Sequence, residues 1–308
     1  MKQALCFLAY VASTLLWTIA NPRGLWQTAA QSGGQILAVA RRLRHKGEGD
    51  PTPAGAFSLP FHGTWTVVNG GVDRQTSHSW SLVAQRYAYD FVITGDDGLS
   101  HTAAGERPEE YYCFGQPILA AADGEVVALR DDIVDDGRCG SCWIDWRTRD
   151  IRGNYVIIKH AAGVYSLSAH LQQGSVAVAV GDHVRRGQVI GRCGNTGHST
   201  EPHLHFQVQD HPDFYLAVGL PIRFAQFAQQ PFVEQQVAGA EVAITSGYVT
   251  KNHRVRALET AADEHMAAVA PQIGGTDLLV SLGIFVLGIV GITYIFTDII
   301  GGLLRLIF

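Results

Sequence analysis

Short runs of alternating apolar and polar residues fill the middle of this chain, and they predict β-strands. The alternation is strictest where His203, His205 and Gln207 are interleaved with apolar residues, which places these three polar side chains on one face of a strand. Further apolar or alternating runs occur at residues 65–68, 88–94, 118–121, 125–129, 155–160, 164–170 and 188–192. Because helical periodicities rarely interrupt these runs, we predict a mainly β, largely antiparallel domain over residues 61–235, with its core at 115–210.

A long apolar segment follows this domain. Residues 278–297 are twenty consecutive uncharged residues, and at about 1.5 Å per residue a helix of that length spans the ~30 Å core of a bilayer. We predict a transmembrane helix there, preceded by a juxtamembrane connector at 236–277 and followed by a short C-terminal tail at 298–308. Within the connector, the Ala-rich residues 255–270 predict a short helix.

The N-terminal region also carries an apolar segment. A basic residue precedes the apolar residues 4–20, a pattern typical of a signal peptide or an N-terminal membrane anchor at 1–20. Residues 21–60, which end in a stretch rich in Gly and Pro, predict a linker. We therefore expect an extracytoplasmic domain (periplasmic or extracellular) anchored to the membrane of the cell envelope. The basic residues from Arg41 to Lys46 mildly oppose this orientation, since positive charge usually stays on the cytoplasmic side.

Composition and charge narrow the class of protein. With 308 residues, 47% of them hydrophobic, the chain has ample length for a buried core. The net charge of -5 and the scattered basic residues give no indication of a nucleic-acid partner. Cys139 and Cys142 are spaced as a redox pair, half a zinc site or a small disulfide loop, and an exported protein favours the disulfide. The spacing leaves their pairing with Cys113 and Cys193 open.

An ordered series of motifs leads to the strand that holds His203 and His205. In chain order the motifs are QPILAAADGEVV at 116–127, GNYVIIKH at 153–160, YSLSAHL at 165–171, VGDHVRRGQVIG at 180–191 and HLHF at 203–206. Together they resemble the lysostaphin/LytM-type zinc metallopeptidases, which cut peptide cross-links in bacterial cell-wall peptidoglycan. The resemblance implies the duplicated hybrid motif fold of that family, a barrel-sandwich hybrid, and an endopeptidase that needs Zn²⁺.

The resemblance also assigns roles to single residues. His205, the second histidine of HLHF, corresponds to a zinc ligand, and Asp90 fits the place of another ligand on an early strand. His203 and His170 correspond to catalytic histidines that do not bind the metal. Three protein ligands leave zinc a fourth position for water, and neighbouring imidazoles can take up and return protons. The implied substrates are peptidoglycan stem peptides or cross-links.

One expected ligand is missing from its usual place. The family has a histidine four residues before the aspartate, but here that position is Arg86, and a guanidinium does not bind zinc at ordinary pH. The nearest upstream histidine is His78, which a loop over residues 79–85 would return to the site. We therefore predict that His78, Asp90 and His205 are the metal ligands. For Arg86 three alternatives remain: a pair with Asp90, a contact to a substrate carboxylate, or simple surface exposure.

Three further histidines have weaker signals. His160 ends a strand where the family often has a histidine, and it is a candidate for support behind the metal ligands. His183 and His198 lie in turns, and we expect both to be solvated.

The departure at Arg86 leaves a second function open. A family member with impaired catalysis would act as an envelope regulator that activates a wall hydrolase, its partner. The four other site residues are intact and favour the enzyme. A third hypothesis is a carrier barrel, because residues 180–191 also resemble biotinyl and lipoyl domains, but no modifiable lysine lies at a hairpin tip there.

Overall fold

A computed structural model gives the fold and describes residues 22–44, 57–140, 145, 148–233, 235–258, 272–283 and 285. The predicted signal peptide or N-terminal anchor lies outside this part of the chain. The predicted C-terminal tail and most of the predicted transmembrane helix also lie outside it. Within the described residues, no helix combines the length and the apolar character needed to cross a membrane.

Strands form the body of the described chain, and every pairing between them is antiparallel. They are β1 (Thr64–Asn69), β2 (Tyr89–Val92), β3 (Pro117–Leu119), β4 (Gly124–Arg130), β5 (Asn154–Ala161), β6 (Val164–Leu171), β7 (His183–Val184), β8 (Val189–Arg192), β9 (Leu204–Gln209), β10 (Gly219–Leu220), β11 (Phe224–Val233), β12 (Gln236–Val237), β13 (Val242–Gly247) and β14 (His253–Ala257). The mainly β, antiparallel fold class is confirmed, and each predicted run overlaps a strand. The finer barrel-sandwich architecture stays a prediction.

The strands that build the site lie side by side in the large sheet. Its order is β12-β11-β14-β1-β2-β9-β6-β5-β4-β7, with β13 on β11 and β10 on β9, while β3 and β8 form a separate sheet. Asp90 on β2 pairs directly with His205 on β9, and His205 pairs on its other side with Ala169 on β6. This register brings residues far apart in sequence into one row across three strands.

Strand β9 is enclosed on both faces. Its apolar side chains, Leu204, Phe206 and Val208, are at most 1% exposed and belong to the largest apolar cluster, where burial stabilises by roughly 1.5–3 kcal/mol for each large side chain. Its polar face is buried too, since His205 is 6% and Gln207 0% exposed. The polar face of β9 therefore belongs to the interior of the domain, and its side chains need hydrogen-bond partners there.

The β domain extends beyond the predicted boundary at residue 235. Strands β12, β13 and β14 all lie in the region predicted as a juxtamembrane connector, and β14 pairs with both β1 and β11. The predicted helix at 255–270 is wrong at its start, because Val255 is buried in the sheet as part of β14. Residues 259–271 lie outside the described part of the chain.

The predicted linker at 21–60 contains a helix that we did not predict, α1 (Pro22–Arg44). Its buried residue Ala38 shares an apolar cluster with Val83 of the β domain. Leu278 packs against the same cluster from a second helix, α2 (residues 275–283). Both helices thus lie against the β domain, next to the loop between β1 and β2.

Candidate metal centre

Asp90 and His205 meet across the β2–β9 pair. They are directly opposed in the register, so their side chains emerge on the same face of the sheet. Asp90 Oδ1 lies 3.0 Å from His205 Nδ1, and each residue is 6% exposed. Both predicted strand-borne ligands are therefore positioned by the backbone ladder.

His78 reaches the same point from the loop between β1 and β2. Its Nε2 lies 3.1 Å from Asp90 Oδ2. Its ring centroid is 5.1 Å from that of His205, and the two rings are nearly perpendicular at 84°. The loop over residues 79–85 thus folds back, as expected, and brings His78 to Asp90 and His205.

These three residues can hold a metal ion. Their donor atoms lie within 4.8 Å of one another. Two imidazoles and one carboxylate are ligands that zinc prefers, and three of them leave a catalytic position open. Bonds of ~2.0–2.1 Å to a tetrahedral zinc separate neighbouring donors by about 3.3 Å, close to the two Asp90–histidine contacts. Nε2 is the nitrogen of His78 that faces Asp90, while the buried Nδ1 has no hydrogen-bond partner among the described residues.

A chain of buried amides stands behind His205. Gln209 Nε2 donates to the backbone oxygen of His211 at 2.7 Å, and Gln207 Nε2 donates to Gln209 Oε1 at 2.6 Å. A backbone carbonyl only accepts, so each amide in this series donates with its Nε2 and accepts with its Oε1. Gln207 Oε1 therefore accepts from His205 Nε2, at a distance of 3.0 Å. His205 therefore carries a proton on Nε2. Its Nδ1 shares a hydrogen bond with the Asp90 carboxylate, and it is therefore the ring nitrogen that could give up its proton and bind a metal ion.

Positive partners keep Asp90 ionised. Burial raises the pKa of this carboxyl, but His78 and His205 beside it outweigh burial and hold the pKa well below its usual value of 3.8. Asn69 Nδ2 also donates to Asp90 Oδ2 at 3.1 Å. The carboxylate is thus in the form that binds metal ions.

His170 and His203 flank the three candidate ligands. Their ring centroids are 4.7 Å apart, and His203 Nε2 lies 3.6 Å from Asp90 Oδ1. Each donates its Nδ1 proton to a backbone carbonyl, His170 to Thr196 at 2.7 Å and His203 to Glu201 at 2.8 Å. Since a carbonyl only accepts, Nδ1 of each ring carries a proton, and Nε2 is the nitrogen at which the ring can take up or release a second proton.

His170 has a left-handed backbone, with φ of 59°, which is uncommon for any residue other than Gly. Ala169 opposes His205 in the sheet, and regular alternation would send the next side chain to the other face, so the unusual φ changes the direction of His170. Burial, followed by the neighbouring His203 and His205, lowers the pKa of His170 well below its usual 6.5. His170 is therefore neutral near pH 7 and able to act as a base.

The three candidate ligands and the two flanking histidines, His170 and His203, line a cleft of about 310 Å³. Its lining also includes Gln31 of α1, Arg152, His198 and Phe214. The expectation that His198 is solvated is wrong, because the residue lines the cleft and burial lowers its pKa. Gln31 carries no signal in the sequence, because residues 21–60 predict a linker. His183, in contrast, is exposed as expected.

Arg86 takes no part in the cleft. It is 1% exposed and forms an ion pair with Asp277 of α2, with Nη2 2.5 Å from Oδ1. The three alternatives for Arg86, namely a pair with Asp90, a contact to substrate and surface exposure, are all wrong. The actual partner lies 191 positions away in the sequence.

His160 and the cysteines lie apart from the candidate ligands. The ring nitrogens of His160 contact the backbone oxygen of Asp123 and the hydroxyl of Ser166, each at 2.7 Å, so the ring does not support the metal ligands. Cys139 is a free thiol, whereas Cys142 lies outside the described residues. The structure therefore gives no support to the predicted disulfide.

The histidine-bearing part of the chain matches a known family. Residues 111–214 match the model of Peptidase family M23. These residues are thus similar to this peptidase family, in agreement with the resemblance to lysostaphin/LytM-type enzymes. The matched residues include His170, His203 and His205 but neither His78 nor Asp90.

Curated relatives match over a limited share of their length. The DD-carboxypeptidase/endopeptidase Mpg of Neisseria meningitidis serogroup B is 39% identical over 35% of this chain and 21% of its own. The peptidoglycan DD-endopeptidase ShyA of Vibrio cholerae serotype O1 is 31% identical over 42% of this chain and 28% of its own. This chain therefore spans less than a third of either relative. The crystallised catalytic domain of lysostaphin from Staphylococcus simulans is 21% identical over 51% of this chain and 88% of its own, with a TM-score of 0.29.

Proposed function

We propose that this protein is a zinc-dependent endopeptidase that hydrolyses peptide bonds in peptidoglycan stem peptides or cross-links. The observation that carries the proposal is the meeting of a His78, Asp90 and His205 donor set with His170 and His203 in one cleft. The substrate class is supported by the relatives, one named as a DD-carboxypeptidase/endopeptidase and the other as a peptidoglycan DD-endopeptidase.

The mechanism divides the site into two groups of residues. Zinc held by His78, Asp90 and His205 would lower the pKa of a bound water toward about 7 and polarise the scissile carbonyl. His170 and His203 supply the proton transfers: each can accept a proton at Nε2 and return it from the same atom to the leaving amine. An imidazolium at either position also stabilises the negative charge that develops on the carbonyl oxygen.

Digestion of purified muropeptides tests this proposal. The zinc-loaded full-length chain should release a new amine and a new carboxylate at one bond, identified by mass spectrometry. His203→Ala should keep its zinc and lower the rate by about 10²–10⁴-fold, the usual contribution of a general acid or base. His183→Ala, at an exposed position on β7, is the control and should keep the full rate.

A zinc-loaded chain that cleaves no muropeptide would overturn the proposal. That result would favour the second function, an envelope regulator that binds and activates a wall hydrolase. Co-purification with wall hydrolases would then identify the partner.

We further propose that the domain is anchored to the membrane and faces the extracytoplasmic side. The apolar segments at 4–20 and 278–297 support this location, and the proposed substrate is found there. Protease added to intact spheroplasts should digest the domain. Protection of the domain until the cells are lysed would contradict the location.

A further inference from the structure

We propose that α1 and α2, which lie outside the family-matching residues 111–214, are working parts of the metal centre, because they hold the loop that carries His78. The central link is the ion pair between Arg86 of the loop and Asp277 of α2. Arg86 is then a positioning residue, which acts on the metal through His78. This inference rests on the proposed zinc site.

The loop that carries His78 has no strand ladder to hold it. Its backbone bonds close to the histidine form short turns, such as Leu82 N to Ser79 O at 3.0 Å. Further along, Gly219 N donates to Val83 O at 2.8 Å. The position of the histidine therefore depends largely on side chains.

Arg86 closes the loop around His78. Ser77 Oγ donates to the backbone oxygen of Arg86, and Arg86 Nε donates to the backbone oxygen of Trp80, both at 2.7 Å. The guanidinium also lies over the Trp80 ring, 4.7 Å from its centroid, a contact that attracts a cation. Because Ser77 and Trp80 bracket His78, their bonds to Arg86 restrict the histidine between them.

Helix α2 holds Arg86 in turn. Arg86 Nη2 lies 2.5 Å from Asp277 Oδ1, and Nη1 donates to the backbone oxygen of Gln272. Gly274 N donates to Asp277 Oδ2 at 2.8 Å, which fixes the carboxylate near the start of α2. A guanidinium that is 1% exposed requires such a partner. Loss of the carboxylate would therefore leave the buried guanidinium without its charged partner and weaken the link between α2 and the loop.

Helix α1 holds the same loop through one buried amide. Gln35 Oε1 accepts from Val83 N at 3.1 Å, and Gln35 Nε2 donates to Ser81 O at 3.0 Å. Gln35 Nε2 also donates to Ser281 Oγ of α2 at 2.8 Å. A single side chain, 5% exposed, thus joins both helices to the loop that presents His78.

Zinc affinity of the full-length chain, measured by competition with a chromophoric chelator, tests the inference. Asp277→Ala should weaken zinc binding by about tenfold, as expected for groups that orient a metal ligand, and Asp277→Glu should restore most of the affinity. Glu241→Ala breaks the exposed Arg256–Glu241 pair, which has a 2.6 Å contact. This matched control should leave zinc affinity unchanged.

A second background separates positioning from general stability. In a His78→Ala chain, Asp277→Ala should cause no further loss of zinc affinity, because the ligand that it positions is already gone. Should Asp277→Ala fail to fold, Ser281→Ala removes one bond to Gln35, and it should weaken zinc binding by about two- to threefold, again only when His78 is present.

Two results would overturn the inference alone: unchanged zinc affinity in these variants, or equal losses with and without His78. In both cases the wild-type chain would still bind zinc, and the zinc site would stand. A wild-type chain that binds no zinc would overturn the site and the inference together.

Discussion

The candidate metal centre joins two differently supported kinds of ligand. Asp90 and His205 lie on neighbouring strands whose register sets them face to face, whereas His78 lies on a loop held by side chains from two flanking helices. The strand-borne pair needs only the sheet to be in place. The loop that carries His78 depends on Arg86, whose partner Asp277 lies 191 positions further along the chain. Three possible metal donors thus lie together although Arg86 stands four residues before Asp90, and flanking segments hold the loop that carries the third donor.

Loss of the strand-borne carboxylate should have the largest effect. Asp90 contacts His78, His203 and His205, and Asp90→Asn keeps its shape but removes its charge. We expect loss of bound zinc and a fall in muropeptide cleavage of about 10³-fold, since an activated metal-bound water contributes several kcal/mol to catalysis. Metal analysis and digestion rates check this. Asp96→Asn, at an exposed position, is the control; near-normal zinc binding by Asp90→Asn would contradict the strand-borne site.

The buried amide chain sharpens the comparison on the strand side. Gln207→Leu removes the acceptor for His205 Nε2–H and should weaken zinc binding by about 10–100-fold, the usual effect of a group that orients a ligating histidine. Gln209→Leu acts one bond further away and should weaken it less. Chelator competition measures both. An unchanged affinity in Gln207→Leu would mean that the backbone ladder alone orients His205.

A single bond within the loop tests the other side of the comparison. Ser77→Ala removes the bond to the backbone oxygen of Arg86, worth about 0.5–1.5 kcal/mol, so zinc affinity should fall by about two- to tenfold. Ser79→Ala is the control, because its backbone oxygen, and not its side chain, forms the local turn. If both variants bind zinc as the wild type does, the loop does not need this bond.

The smallest expected effect lies outside the site, at His160 on β5. Burial lowers the pKa of His160 below its usual 6.5. As pH falls through about 6.5, the unfolded chain therefore takes up a proton before the folded chain does, and the free energy of unfolding decreases. His160→Gln should make this decrease shallower in denaturant titrations between about pH 7 and pH 5. An identical pH dependence in the variant would show that the folded state does not disfavour the protonated ring.

The strand-borne half of the centre was accessible from the sequence. The alternation around His203, His205 and Gln207 places them on one face of a strand. Such an alternation can be read from the sequence because a strand repeats every two residues. The resemblance to a known family then supplied Asp90 and His170. The left-handed backbone at His170 left no mark in the sequence, because it arises from tertiary contacts such as the bond from His170 N to Arg152 O at 2.9 Å.

The supporting helices were not accessible in the same way. Gly33 and Gly34 look like helix breakers in the sequence, yet at Gly34 an added Cβ would lie 2.2 Å from the backbone oxygen of Tyr215. The glycine therefore permits close approach of α1 to the domain instead of ending the helix. Similarly, the partner of Arg86 lies beyond any local pattern, since an ion pair across 191 positions leaves no periodic signal.

Zinc content, measured by mass spectrometry after dialysis of the full-length chain, tests the central claim most directly. The wild type should retain one equivalent. His205→Ala should retain none, and His78→Ala should lose its zinc to a chelator that leaves the wild type loaded. A full equivalent of tightly held zinc in either variant would contradict the claim that His78, Asp90 and His205 form one metal centre.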